Sequence, residues 1–287
     1  MAHILVAGFG DLGQALGRHW RDAGHQVSAI RRRDEGLTGI DLYPQDLTRD
    51  PLQLPPDQVD LLYIIMTPAR RDEAGYRDAY LTAPARLLTG LAAQQPLPPV
   101  VFVSSTAVYG DHAGEPDEDT EPRPNAFNGR ILLAAEEEIS MRALATSVRF
   151  SGIYGPGRER LLNQVAGIRA GAEAPSPQWS NRVHSADCVG ILKRVGELWL
   201  QGKMAPPLVV GTDSAPAMNV AVLNWISARQ GQALSLFEPD IAPGKRIRSR
   251  FIAEGHYQLR YPDYQSGYAT LLENDGTAGC VGADTIR

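Results

Sequence analysis

The sequence predicts an α/β fold in which a doubly wound parallel sheet is followed by a smaller C-terminal lobe. Three observations carry that prediction. Short apolar runs alternate with stretches of helical periodicity up to about residue 150, and parallel neighbours need a crossover helix to return the chain to the same edge. A glycine-rich turn, Gly8-Phe9-Gly10-Asp11-Leu12-Gly13, stands between the first apolar run and the first helical stretch. Beyond Gly152 the texture changes: Pro156, Pro175, Pro177, Pro206, Pro207, Pro216 and Pro243 punctuate shorter elements, as proline continues neither a helix nor a central strand.

Taken in order, His3–Ala7 is an apolar run closed by Gly8 and reads as a strand. Asp11–Ala23 carries Leu12, Ala15, Leu16, His19 and Trp20 at helical spacing and stops at Gly24. Gln26–Ile30 reads as a second strand, halted by Arg31, Arg32 and Arg33. Val59–Met66 then reads as a buried strand, Tyr76–Ala93 as a helix, Val100–Ser104 as a strand, Ile131–Ala145 as a helix and Ser147–Phe150 as a strand. Later, Val220–Arg229 reads as a helix, and Arg260–Leu272 holds three tyrosines around Pro262 and Gly267. Residues 273–287 lack periodicity, as a frayed tail does. The expected division is one domain at 1–152, to which 178–202 returns, with 153–177 and 203–272 forming the smaller lobe.

Composition narrows the function classes. The 287 residues are 43% hydrophobic and 21% charged, within the range of chains that bury a core. Lysine and arginine total 28 against 33 acidic residues, a net charge of −5, so no global basic field holds a nucleic acid or an anionic membrane surface. A small-molecule partner is the expectation, with a homodimer left open. Cys188 and Cys280 form no CxxC pair, as in a reducing compartment. Met1–Gly10 carries no charged stretch ahead of its apolar run and reads as strand and turn rather than a secretion signal. Leu61–Ala69, the longest uncharged apolar stretch, is far short of a membrane span. The expected location is therefore the cytoplasm. The six histidines form no HxxxH pair, so no metal site is expected. The acidic run Gly114–Glu121 reads as a solvated loop, and the alternating basic residues of Lys245–Arg250 read as an exposed strand or edge.

The glycine turn carries chemistry. Gly8 permits a tight turn, Gly10 lets a diphosphate approach the main chain, Gly13 lets the helix pack closely, and the helix start presents free N–H groups. Gly8, Phe9, Gly10, Asp11, Leu12 and Gly13 are therefore candidate dinucleotide-binding residues of a Rossmann-type fold, against the competing reading of an ordinary turn. Where an NAD-selective site places an acidic residue, this chain has Arg31, Arg32 and Arg33. Three guanidinium groups suit a 2′-phosphate and favour NADP, with NAD still open and a solvated basic run as the alternative. Val101–Gly110 is a strand whose far end bears the hydroxyls of Ser104, Ser105 and Thr106. Ligands of open α/β sheets sit at the carboxyl ends of strands, although such hydroxyls also cap turns.

Four segments together resemble the extended short-chain dehydrogenase/reductase superfamily: the glycine turn, Ser104-Ser105-Thr106-Ala107-Val108-Tyr109-Gly110, Arg149-Phe150-Ser151-Gly152-Ile153-Tyr154-Gly155-Pro156-Gly157, and Asn181-Arg182-Val183-His184-Ser185-Ala186-Asp187. The likeness is to the NAD(P)-dependent epimerase/dehydratase group, its atypical bacterial members in particular. The strand-end rule makes Ser104 a cofactor-side candidate, and the resemblance implies Asp46 near the adenine and Ser105 in the place of the catalytic serine or threonine. The resemblance also puts the Tyr154–Gly157 loop and His184–Asp187 at the border of the substrate cleft, where Thr106 is a further candidate. Arg182, a permanently charged fork, is the better substrate anchor, and His184 competes with a structural reading as a backbone-bonded residue between the lobes. One departure is informative. Reductases and epimerases of this group use a tyrosine and a lysine four residues later, the lysine easing proton exchange by the phenol. The equivalent stretch here, Asn125–Glu136, has neither, and its cation is Arg130, a candidate for ribose or phosphate contact. Three explanations compete: another acid such as Tyr109 or Tyr154 serves instead, the reaction needs no strong acid, or the chain binds without turnover. The expected function is an NAD(P)-dependent oxidoreductase or epimerase/dehydratase-like enzyme on a polar, sugar-like molecule. The alternative is a non-catalytic dinucleotide sensor.

Overall fold

The computed structural model describes residues 1–33 and 37–278. The chain runs β1 (His3–Ala7), α1 (Asp11–Asp22), β2 (Gln26–Arg31), β3 (Asp41–Pro44), β4 (Leu61–Ile64), α2 (Glu73–Arg77), a π-helical turn at Asp78–Thr82, α3 (Ala83–Ala92), β5 (Val100–Ser105), α4 (Phe127–Arg142) and β6 (Ala145–Phe150). It continues with β7 (Gly152–Tyr154), α5 (Arg160–Arg169), β8 (Trp179–Ser180), β9 (Arg182–His184), α6 (Ser185–Leu200), β10 (Leu208–Gly211), β11 (Ala217–Met218), α7 (Asn219–Arg229), α8 (Arg250–Ala253) and α9 (Tyr264–Ala278).

Seven strands form one parallel sheet in the order β10-β6-β5-β4-β1-β2-β3. β1 and β4 are buried along their whole length, as strands covered on both faces must be. On one face α1 places Leu12, Leu16 and Trp20 four residues apart against the sheet, beside Ile191, Leu192 and Val195 of α6. The other face takes Leu87, Leu88 and Leu91 of α3 with Leu132, Ala135 and Ile139 of α4. Burying each such side chain contributes roughly 1.5–3 kcal/mol, so these four helices fix the sheet and the loops at its carboxyl edge.

The smaller lobe has its own core, in which Leu162 and Val165 of α5 meet Val222, Leu223 and Ile226 of α7 and Tyr268 and Leu271 of α9. The division expected from the sequence shifts in three places. Residues 203–272 do not all belong to this lobe, because β10 joins the edge of the main sheet through Leu208↔Ser147 and Val210↔Arg149. Ile247 and Phe251 likewise pack into the two sheet cores. Residues 273–278, expected in a frayed tail, continue α9, while 279–287 lie outside the described residues.

The two charge runs read as solvated faces pair with each other. Glu115 meets Arg246 and Arg248, and Asp119 meets Arg250. Glu118 accepts from the backbone N–H groups of Val210, Arg250 and Phe251. Each exposed pair is worth about 0–1 kcal/mol, yet together with the Arg246 and Arg248 N–H bonds to the Gly114 and Pro116 carbonyls they strap 245–250 to the loop after β5.

Candidate active site

A cleft of about 950 Å³ opens at the carboxyl ends of β1, β2, β4 and β5, where a parallel sheet leaves a crevice. Its floor is the glycine turn. Gly8 has φ +93, and a Cβ there would collide with the Ile65 carbonyl oxygen. A Cβ on Gly13 would stand 2.6 Å from the Gly8 carbonyl oxygen. Gly10 is different: its Cβ direction meets nothing within 4 Å. Gly10 is also the N-cap of α1 and brings no capping side chain, so the first N–H groups of the helix face the cleft unsatisfied by a cap. Bare backbone, open space and a helix start fit the diphosphate of a dinucleotide.

The outer end of the cleft is edged by Arg31 at the end of β2 with Arg32 and Arg33 beyond it, and by Asp46, Thr48 and Arg49 after β3. The Asp46 carboxylate accepts from the Thr48 hydroxyl at 2.6 Å and the Thr48 N–H at 3.0 Å. Its carboxyl is held below the usual range by the Thr48 hydroxyl first, with Arg49 and Arg32 adding to it. Asp46 is thus a fixed anion among guanidinium groups.

At the inner end, two adjacent serines behave differently. Ser104 donates to the buried Glu136, which takes the Arg149 guanidinium on both oxygens, Nη2 at 2.6 Å. Ser105 lines the cleft, and among the described residues its oxygen accepts only the Ala107 N–H, at 3.2 Å. Its hydroxyl proton is therefore available to a ligand.

The cleft also brings together residues that the sequence reading left out. Tyr76 of α2 packs its ring edge-on to Phe127 at 5.4 Å, and Tyr80 sits on the π-helical turn. Asn128 and Leu132 are the α4 residues on the cleft wall, four apart on one helix face. That is the spacing of the absent tyrosine and lysine. Ser151, Ile153 and Arg158 line the side toward the smaller lobe. The spacing of Asn128 and Leu132 was a usable signal; Tyr76 and Arg158 reach the cleft only through tertiary packing.

Six expected residues lie away from it. Tyr109 is fully buried, does not line the cleft and donates its hydroxyl to the Asp117 carbonyl at 2.6 Å; burial also pushes its phenol up. Thr106 is buried in the turn after β5. Arg130 points outward and donates to the Asn125 carbonyl at 2.6 Å. Tyr154 stacks on Tyr268 at 4.6 Å and donates to the Asp263 carbonyl, and Gly267 lets α9 close directly over its hydroxyl. His184 caps α6 by accepting the Ala186 N–H at 3.1 Å, and burial lowers its imidazole. Arg182 is buried, donates to Ser180 and lies over the Tyr264 ring. These last three join the smaller lobe to β9 and α6.

The profile of the NAD-dependent epimerase/dehydratase family matches residues 4–176. The chain belongs to that family. Protein YeeZ of Escherichia coli K12 is 30% identical over 285 residues, covering 92% of this chain and 97% of YeeZ. A solved structure of a candidate NAD-dependent epimerase/dehydratase from Methylobacillus flagellatus is 32% identical, covers 96% of this chain and 99% of its own, and superposes with a TM-score of 0.80. The human epimerase family protein SDR39U1, solved with NADPH, is 20% identical, covers 95% and 99%, and has a TM-score of 0.72. The human likeness is one of fold. In this chain α4 presents the Asn128 amide and the Leu132 alkyl group to the cleft. No helix among the described residues is long and apolar enough to cross a membrane.

Proposed function

We propose that this epimerase/dehydratase family member is an NADP-dependent enzyme, an oxidoreductase or an epimerase/dehydratase-like catalyst, acting on a polar, sugar-like small molecule in the cytoplasm. The observation that carries the reading is the turn at Gly8–Gly13. Two of its glycines are required sterically, and the third leaves open space toward a cleft edged by three arginines. The NADPH bound by the human relative supports a nicotinamide dinucleotide. Such a dinucleotide, when bound, supplies a hydride donor or acceptor.

This chain's own residues supply the rest. Gly10 and the start of α1 hold the diphosphate; Arg31, Arg32 and Arg33 hold the 2′-phosphate, with Asp46 at the adenine end. Ser105 turns its free hydroxyl proton toward the substrate's reacting oxygen. With Tyr109 and Tyr154 withdrawn into packing, the proton donor is Tyr76, a cleft-lining phenol that makes no hydrogen bond among the described residues and packs beside Asn128's helix.

Titration with NADPH, NADP, NADH and NAD tests this, repeated on Arg32→Ala. Tighter binding of the 2′-phosphorylated pair by about tenfold, lost in the variant, is the expected result. Equal affinity for both pairs overturns the NADP preference, and no binding overturns the reading. A second reading, a non-catalytic dinucleotide sensor, is favoured by Asn128 and Leu132 where an acid–base pair would stand. Turnover on a panel of carbonyl compounds, alcohols and nucleotide sugars, abolished in Ser105→Ala with affinity intact, overturns that second reading.

A further inference from the structure

We propose that Arg158 is a diphosphate clamp, a guanidinium carried by the turn after β7 that closes across the start of α1 onto the bound dinucleotide. The proposal rests on the cofactor reading above and adds a residue from the other side of the cleft. Gly155 and Gly157 take positive φ of 143 and 72, which only glycine adopts readily. The Arg158 N–H then closes the turn on the Gly155 carbonyl at 3.0 Å. This aims the side chain at α1. Nε and Nη2 donate to the two oxygens of Asp11 at 2.6 and 2.9 Å, joining residues 147 apart in the sequence.

The electrostatics give the pair a purpose beyond holding two loops together. Asp11 occupies the first turn of α1, immediately after the open Gly10. A diphosphate seated on that turn stands beside the Asp11 carboxylate, and like charges at such range repel unless a cation lies between them. Arg158 is that cation. Its side chain is about one-third exposed, lines the cleft, and makes no hydrogen bond through Nη1 among the described residues. A planar fork with two donors on Asp11 keeps others for a second anion, which a lysine offers less well. Asp11 orients the guanidinium, and the guanidinium in turn makes room for phosphate charge beside Asp11.

A plain ion pair and a clamp differ in what each partner's removal does. The test measures dissociation constants of the full chain for NADPH and for adenosine 2′-monophosphate, which has the 2′-phosphate and no diphosphate. The clamp expects Arg158→Ala to weaken NADPH about tenfold or more, with adenosine 2′-monophosphate unchanged and Arg158→Lys intermediate. It expects Asp11→Asn to weaken NADPH clearly less than Arg158→Ala does, since the amide oxygen still accepts from the guanidinium and a negative charge beside the diphosphate is gone. Equal losses in Arg158→Ala and Asp11→Asn reduce the pair to a structural contact and overturn the proposal. So does a parallel loss for both ligands, or no loss for either. A parent protein that binds neither ligand overturns the cofactor reading itself.

Discussion

At the carboxyl ends of β1 and β2 the chain strips side chains away from the cleft, whereas in the smaller lobe it fills the space with them. The glycine turn leaves backbone N–H groups and an open Cβ direction facing 950 Å³ of space. Across the lobe boundary, Tyr154, Arg182 and His184 are each 4% exposed and tied to neighbours, although Arg182 Nη1 has no hydrogen-bond partner among the described residues. Polar residue types alone do not distinguish these cases. A ligand site needs groups whose hydrogen-bonding capacity is unmet, and a lobe core uses most of that capacity, Arg182 Nη1 and Asp213 Oδ2 being exceptions here.

The sharpest way to break that comparison lies inside the glycine turn. Gly8→Ala combines a forbidden φ with a collision against the Ile65 carbonyl, so it costs more than about 4 kcal/mol and removes dinucleotide binding. Gly10→Ala meets no protein atom, so its melting temperature stays at the parent value while NADPH affinity drops at least about tenfold. Thermal melts run beside titrations separate the two. A normal affinity in Gly10→Ala would mean that the open face is not where the ligand sits.

A somewhat smaller effect tests the two serines. Ser104 is tied to Glu136 and through it to Arg149, a pair 9% and 5% exposed at the side chains. Glu136→Gln leaves a buried guanidinium without its counter-charge, which costs about 3–5 kcal/mol. Ser105→Ala touches only the Ala107 N–H contact and costs about 1 kcal/mol. Urea denaturation compares them, and similar values would erase the distinction between a structural and a cleft-facing hydroxyl.

Much of this arrangement is legible before any coordinates. The strand, turn and helix at His3–Asp22 are local events, fixed by apolar periodicity and glycine, and Ser105 follows because strand ends in a parallel sheet open on the crevice. Side-chain destinations in the smaller lobe are not local. Whether Tyr154 faces a ligand depends on α9 closing over it at Gly267, more than a hundred residues later. The pairing of the two charge runs and the edge position of β10 have the same origin. β3, half exposed at the opposite edge, carries too weak an apolar pattern to be seen.

The proton donor gives the next prediction in size. Tyr76→Phe removes the cleft-facing phenol and lowers kcat/KM about 100-fold on any substrate the screen finds, with NADPH affinity unchanged. Tyr109→Phe removes the bond to the Asp117 carbonyl and the hydroxyl's contact with the Arg149 guanidinium, costing about 1–2 kcal/mol of stability and little activity. If Tyr109→Phe is the variant that loses turnover, the cleft assignment is wrong. If neither does, the reaction needs no phenol, and the solvent or Ser105 moves the proton.

The smallest effect belongs to the filled lobe. Asp213, 2% exposed, accepts the Ala215 N–H through Oδ1, while Oδ2 has no partner among the described residues. Its carboxyl is pushed up to about 7, first by burial, with Asp263 and Asp187 adding and the Arg182 guanidinium opposing. In the unfolded chain the same group titrates near 3.9, as an ordinary aspartate does. Between those values the unfolded chain has released a proton that the folded chain retains. Stability therefore falls as the pH rises from about 4 to about 7 and levels off above that, by about 1–3 kcal/mol for a group of this kind. Asp213→Asn keeps the acceptor for Ala215 and removes the titration, so it flattens this window and raises the melting temperature at pH 8. An unchanged slope in the variant would mean that Asp213 is already paired in solution, the Arg182 guanidinium with its unpartnered Nη1 being the nearest cation to do so.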